Sequence, residues 1–455
     1  MEAERTEIQP GVGAGEPPWS AGVARRATGE LEVAGVPVSD LAGRFGTPVY
    51  VLDEADLRAR ARAYRDAFTR ELAPSSVHVY YAGKAFLSIA VARWVHAEGL
   101  RIDTATGGEL AVALRAGIPG ADIGMHGNNK SDAEIDRALA AGVGRIVVDS
   151  LPEVARVADA AARRGVRAPV MVRVTTGVHA GGHEYISTAH EDQKFGLSIA
   201  AGRAEEAVAA VLARPELELL GLHSHIGSQV LEAEAFTVAA RSVLELRARI
   251  AETHGVLVGE VDLGGGYGVA YLPGEVPLDP AMLAAELART VREVCAELGT
   301  DVPDVSIEPG RAIVAPAGCT LYTVGTVKPV RATDGADRLY VSVDGGMSDS
   351  IRPALYGAAY TATIASRASA APPVRSRVVG KHCESGDIVV HDVDLPADVA
   401  AGDLLAVPAT GAYGRSMASQ YNLVPRPGVV AVAGGEARAV IRRETEEDVL
   451  ALDLG

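Results

Sequence analysis

An α/β fold, a (β/α)8 TIM-like barrel with a second, mostly antiparallel β domain, is what this sequence predicts, and three observations carry the prediction. Between about residues 77 and 311 a short apolar run, a polar or glycine-rich turn and an Ala/Leu/Val-rich segment recur eight times. The segments between the runs, such as 108–117 and 233–254, place apolar residues three and four apart, the spacing of an amphipathic helix. Beyond Arg311 this helical spacing weakens, and alternating valine runs punctuated by Gly and Pro replace it.

Taken in order, the apolar runs begin near Val77, Leu100, Ile123, Arg145, Val170, Leu219, Val261 and Val305. Strand and helix alternating eight times is the pattern of a closed parallel barrel. The later strands are expected at 321–327, 339–343, 374–379, 388–393, 404–407 and 429–432. Two early runs, 31–38 and 48–52, precede the barrel and are assigned to the β domain. The expected organisation is a disordered tail over 1–28, a barrel over 53–311, and a β domain made of 29–52 with 312–455. The tail reading rests on Pro10, Pro17, Pro18 and several glycines, with no apolar core of signal-peptide length.

Composition excludes several classes of function. A chain of 455 residues with 48% hydrophobic content has the material for two sizeable cores. Its formal charge of −16 argues against a nucleic-acid partner, which normally meets a basic face. No stretch reaches the roughly 18 apolar residues of a membrane span. Cys295, Cys319 and Cys383 are too few and too scattered for a disulfide framework or a zinc site, so no metal is expected and a reducing cytoplasm is.

Barrel chemistry collects at the carboxyl ends of the strands. Here those ends read Gly83-Lys84, Asp103 to Glu109, His126 to Lys130, Asp149-Ser150, Arg173 to Thr176, His223 to Ser228, Asp262 to Gly268 and Glu308 to Arg311. Lys84 stands out because only five lysines accompany thirty-eight arginines. An amine can lose its proton and attack a carbonyl in Schiff-base chemistry, whereas a guanidinium stays charged. After the seventh run, Gly264-Gly-Gly-Tyr-Gly268 suits either a structural turn or a phosphate cradle of backbone N–H groups. Glu308 calls for a positive partner: Arg311 in a structural salt bridge, or the protonated ring nitrogen of a cofactor. An imine-forming amine, a phosphate site and a carboxylate for a ring nitrogen together describe pyridoxal 5′-phosphate.

His225 is positioned to stack on such a ring and Ser228 to donate to its phosphate, while His223 is the less certain of the two histidines. In the β domain, Cys383 lies in Lys381-His-Cys-Glu-Ser-Gly-Asp387, a polar turn that suits a proton donor. Cys295 and Cys319 are assigned to packing.

Seven segments, Tyr81-Ala-Gly-Lys84, His223-Ser-His-Ile-Gly-Ser-Gln229, Asp262-Leu-Gly-Gly-Gly266, Glu308-Pro-Gly-Arg311, Arg352-Pro-Ala-Leu-Tyr356, Cys383-Glu-Ser-Gly-Asp387 and Gly411-Ala-Tyr413, resemble those of the diaminopimelate decarboxylases, fold-type III pyridoxal-phosphate enzymes. The likeness runs from about residue 30 to the C-terminus. It implies decarboxylation of meso-2,6-diaminopimelate to L-lysine and CO2, the last step of lysine biosynthesis. It also implies that Lys84 binds the cofactor covalently, His225 stacks on its ring and Glu308 pairs with its nitrogen. Ser228, Gly266, the turn Glu308, Pro309, Gly310, Arg311, and Tyr413 would surround the phosphate. Arg311, Arg352, Tyr356 and Tyr413 would bind substrate, with Glu384 taking its distal ammonium and Cys383 protonating the product. The resemblance further implies a homodimer whose sites are shared, Cys383 and Glu384 serving the partner's barrel. Two departures, Thr106 for serine and Gly414 for cysteine, leave substrate preference open. Rival readings are a same-fold decarboxylase of another amino acid or of a carrier-tethered substrate, and a non-catalytic pyridoxal-phosphate carrier protein.

Overall fold

The computed structural model describes residues 16–178, 194–331, 335 and 337–455. The chain divides into two compact units, one of Arg58–Val269 with Pro277–Ile313, the other of the segment up to Leu57, Ala270–Val276 and Val314–Gly455.

The first unit is a closed barrel of eight parallel strands: Val77–Ala82, Arg101–Thr104, Ile123–Met125, Arg145–Val148, Ala168–Thr175, Leu217–Ser224, Glu260–Asp262 and Asp304–Ile307. Closure comes from pairing the eighth strand with the first, Val305 opposite Val77 and Ile307 opposite Val79. Every expected strand start falls within three residues of an observed one. The connecting helices carry local stop and start signals. Ser131 and Glu134 form a capping box at the helix Asp132–Ala141, which ends on left-handed Gly142. Asp279 caps the helix Pro280–Leu298, where proline occupies the first turn.

The barrel interior is not wholly apolar. Arg145, on the fourth strand and 1% exposed, reaches across to the seventh, with Nη1 3.1 Å from Asp262 Oδ2 and Nη2 2.6 Å from Glu260 Oε1. Its guanidinium also lies 4.2 Å from the centre of the Tyr80 ring. Desolvating such a charge costs several kcal/mol, roughly, unless the pairing is good, and here two carboxylates and a π face supply it. This layer closes the barrel beneath its carboxyl-end mouth.

The second unit holds a mostly antiparallel sheet with strands in the order Ile388–Pro396, Pro373–Val379, Asp337–Val343, Gly318–Arg331, Val49–Asp53, Val429–Ala433 and Glu436–Ile441. Leu404–Pro408 pairs with Gly318–Arg331 off this path. Val49–Asp53, which comes before the barrel in sequence, lies inside this sheet between Gly318–Arg331 and Val429–Ala433. All six expected later strands are present, and Glu436–Ile441 and Thr363–Ile364 are additional.

The tail expectation needs correction over 16–28; residues 1–15 lie outside the described residues. Val23–Arg25 pairs with Leu31–Val33, and Trp19 and Val23 are buried in a core with Leu41, Val51 and Leu321. Burial of these two large apolar side chains is worth about 1.5–3 kcal/mol each and anchors the segment to the sheet. Proline and glycine content alone did not reveal that anchor. Among the described residues, no helix is long and apolar enough to cross a membrane.

Candidate active site

The first barrel strand delivers Lys84 to the mouth through a glycine. Gly83 N–H donates to the Asp103 carbonyl over 3.0 Å, and a Cβ at 83 would stand 2.7 Å from that same oxygen. A larger residue would push the first strand off the second at this point. Lys84 follows as the one exposed residue of an otherwise buried turn that Tyr81 closes by donating its hydroxyl to the Phe86 carbonyl over 2.6 Å.

The glycine run after the seventh strand is threaded between its neighbours. A Cβ on Gly265 would lie 2.1 Å from the Glu308 carbonyl oxygen, and one on Gly266 would lie 2.2 Å from the Gly227 carbonyl. Gly264 and Gly266 have φ of +67° and +108°, conformations that L side chains disfavour. Gly265 N–H donates to His225 Nδ1 over 3.2 Å, and Arg311 Nη2 donates to Ser228 Oγ over 2.8 Å. Pro309 accepts from Ala82 N–H, and a Cβ on Gly310 would press to 2.9 Å on Ala82. The ends of strands one, six, seven and eight therefore meet, bringing His225, Ser228, Gly266 and the turn 308–311 together.

Glu308, 7% exposed, is the electrostatic centre of this mouth. Its Oε1 lies 3.0 Å from His223 Nε2 and 3.4 Å from His126 Nε2. These contacts are within ion-pair distance but off the line of a hydrogen bond, so this buried oxygen has no in-line donor among the described residues. Burial alone would raise the Glu308 carboxyl, yet the facing imidazoles hold it well below the usual carboxylate range. Burial pushes both histidines down to about 4, so they stay neutral near pH 7. His225 is likewise pushed well below its usual value by burial. Asp103, whose Oδ1 is 3.1 Å from His126 Nε2, is raised by burial and by the charge of Glu308.

The sequence left two partners open for Glu308. The structure gives it the two histidines, while Arg311 turns to Ser228. His223 was uncertain and His126 carried no role in the sequence reading; their one legible signal was placement at strand ends.

The remaining candidates belong to the β unit. Arg352, 7% exposed, lies over the rings of Tyr271 and Tyr360 at 4.8 and 5.5 Å and donates Nη1 to the Tyr360 hydroxyl. Tyr356, four residues along the same short helix, is half-buried. Cys383 and Glu384 are exposed in a turn held from behind by Asn422, whose Oδ1 accepts from Cys383 N–H over 3.3 Å. His382 is fixed there between Asn422 and Ser348. Tyr413 is half-buried with φ of +56°. Of the two departures, Thr106 in the barrel unit caps the helix Gly107–Arg115 by accepting from Glu109 N–H, as a serine hydroxyl would. A Cβ at Gly414 would touch Thr410 O and Tyr50 Cε1 at 3.0 Å, so the site has little room for a side chain.

The barrel mouth fits pyridoxal phosphate. The glycine run lets the backbone pass close beside Ser228 and Arg311, two groups suited to an anion, and the buried Glu308 oxygen lacks the in-line donor that a protonated ring nitrogen would supply. Residues 54–315 match the family described as pyridoxal-dependent decarboxylase, pyridoxal binding domain. Over 440 residues the chain is 51% identical to diaminopimelate decarboxylase of Mycobacterium tuberculosis, covering 96% of this chain and 97% of that one. The enzyme of the same name from Corynebacterium efficiens is 48% identical over 436 residues, 96% of this chain and 94% of the relative. The structure superposes on diaminopimelate decarboxylase from M. jannaschii in complex with L-lysine with a TM-score of 0.87 and 31% identity, over 95% of this chain and 98% of the other. Such similarity extends well beyond the cofactor-binding segment and takes in both units. The chain therefore belongs to the diaminopimelate decarboxylase family of pyridoxal-dependent decarboxylases.

Proposed function

We propose that the residues of the barrel mouth, with the candidates of the β unit, carry out pyridoxal-phosphate-dependent decarboxylation of meso-2,6-diaminopimelate, giving L-lysine and CO2, with each side chain in the role set out below. The single observation that carries the assignment of roles is the buried, anionic Glu308 in the same mouth as Lys84 and the glycine cradle.

Bound pyridoxal phosphate supplies the electron sink for the pair left on carbon when CO2 departs. Lys84 would provide the amine that holds this group. Glu308 would keep the ring nitrogen of that group protonated, a task for which an anion is needed. His225 presents a ring face, with its proton held on Nε2 because Nδ1 accepts from Gly265. Ser228, Gly266, Pro309, Gly310, Arg311 and Tyr413 would hold the phosphate.

Arg311, Arg352 and Tyr356 take the distal carboxylate of the substrate. Arginine suits that carboxylate because its planar fork binds both oxygens, turning remote binding into orientation at the reacting carbon. Glu384 takes the distal ammonium, and the Cys383 thiol returns a proton to the product carbon. Both are exposed in the single chain, as residues serving a partner's site would be, which supports a homodimer with shared sites. We further assign a barrel domain close to 53–311 and a β domain of 29–52 with 312–455, to which the ordered 16–28 and Ala270–Val276 also belong. Three free cysteines support a place in the reducing cytoplasm.

The deciding experiment measures CO2 release from meso-diaminopimelate beside lysine, ornithine, arginine and carrier-bound amino acids. Strong preference for meso-diaminopimelate is the expected result. Equal or better turnover of another substrate would move the chain to a sister specificity, and cofactor binding without turnover would make it a carrier.

A further inference from the structure

Two imidazoles converge on one carboxylate oxygen at the barrel mouth. His126 follows the third strand and His223 lies on the sixth, and their rings meet edge to face with centroids 5.1 Å apart. Their Nε2 atoms lie 3.4 and 3.0 Å from Glu308 Oε1. His223 is 1% exposed, and neither of its ring nitrogens has an in-line partner among the described residues. A buried histidine so placed costs free energy unless the finished site uses it.

We propose that His126 and His223 are positioning residues for Glu308, lying against Oε1 from the third and sixth strands so that its carboxylate keeps the orientation and the negative charge needed to retain a proton on the cofactor's ring nitrogen. The inference rests on the reading of Glu308 as the ring-nitrogen partner.

The choice of imidazole has a physical reason. A guanidinium or ammonium beside Glu308 would neutralise it and compete with the protonated ring nitrogen, whereas an uncharged imidazole contributes a bond dipole and leaves the charge in place. The barrel does contain a cation on the layer below, Arg145, but Asp262 and Glu260 engage it. Asp103 Oδ1 meets the same nitrogen, 3.1 Å from His126 Nε2, so this imidazole lies between the two carboxyl groups. Room for that pair is kept by Gly124, where a Cβ would lie 2.6 Å from Asp103 Oδ1. The off-line approach of both imidazoles matters as well, because it leaves the in-line direction of Oε1 available to another donor.

The test loads the protein with pyridoxal phosphate labelled with 15N in the ring and reads the ring nitrogen by NMR near pH 7, together with kcat and KM. The parent should show a protonated ring nitrogen and Glu308→Gln should lose it. His126→Ala and His223→Ala should each shift the signal toward the unprotonated form and lower kcat by about tenfold or more, the effect of losing a polar contact to a charged group, with KM little changed. His126→Gln, which retains an N–H donor, should recover most of the parent signal, whereas His126→Leu should not. That last pair decides the matter if the alanine variants fail to fold, since equal effects of Gln and Leu would reduce His126 to packing and overturn the proposal. Parent-like signal and kcat in both alanine variants, with Glu308→Gln shifted, would also overturn it while sparing Glu308. An unmoved signal in Glu308→Gln would instead remove the reading beneath it. His126, His223 and Glu308 also offer three ligand atoms within 4.8 Å, so a stoichiometric divalent ion in the purified holoenzyme would overturn the proposal too.

Discussion

Gly265 donates its backbone N–H to Nδ1 of His225 over 3.2 Å, so one peptide group decides on which nitrogen that ring carries its proton. The same glycine abuts the Glu308 carbonyl. Gly265→Ala must therefore disturb His225 and Glu308 at once. We expect a loss of about 1–3 kcal/mol in stability from overpacking and at least a tenfold weaker hold on pyridoxal phosphate, read by thermal melting and by titration of the apoenzyme. Parent-like values for both would show that the cradle tolerates a methyl group.

Lys84→Ala should abolish the visible absorbance of covalently held cofactor and leave nothing for borohydride to trap. The amine is exposed at the end of the first strand and carried there by Gly83. Peptide mapping that finds a reduced adduct on a different lysine would refute the assignment.

Arg352 is held in place by the rings of Tyr271 and Tyr360. Removing the guanidinium in Arg352→Ala should cut kcat/KM on meso-diaminopimelate by roughly 10–100-fold, as expected for a lost contact between charged groups. Tyr360→Phe keeps the ring and removes the hydroxyl, so a smaller loss of about two- to tenfold is expected, most of it in KM. Unchanged kinetics in Arg352→Ala would remove its substrate role.

Cys383→Ala and Lys84→Ala should each be inactive as pure proteins. If the exposed turn at Cys383 serves a partner, mixing the two should restore about a quarter of parent activity, the share of intact sites in randomly exchanged dimers. Absence of recovery once subunit exchange is demonstrated would reject shared sites.

His126 and His223 titrate near 4 in the folded chain and near 6.5 when unfolded. Between those values the unfolded state binds more protons, so their contribution to stability falls as pH drops from about 6.5 toward 4. His223→Gln removes one such group. Its melting temperature should therefore decline less than the parent's between pH 6.5 and 4.5, and parallel declines would contradict neutral burial of His223.

Much of this molecule was legible before folding. Strand starts such as Val77, Ile123 and Arg145 could be read because apolar runs alternate with helical periodicity over short windows, and the motif around Lys84 sits where a strand must end. Gly264 to Gly266 were visible as a run, but whether they form a turn or a cradle depended on carbonyls of Gly227 and Glu308, which no local pattern reveals. Closure of the barrel determined the partners of Glu308: His126 is 182 positions away in the chain, and Arg311, three positions away, turns to Ser228. Arg145 reads as one more basic strand residue until the fourth and seventh strands face each other across the barrel and bury it against Asp262. Trp19 likewise looked like part of a loose tail until it met Leu41 and Leu321. Periodicity, strand ends and residue chemistry could be read from the chain alone, because those are local. Tertiary structure decided which buried charges face each other, because in a low-dielectric interior that depends on strand register and ring closure across long separations in the chain.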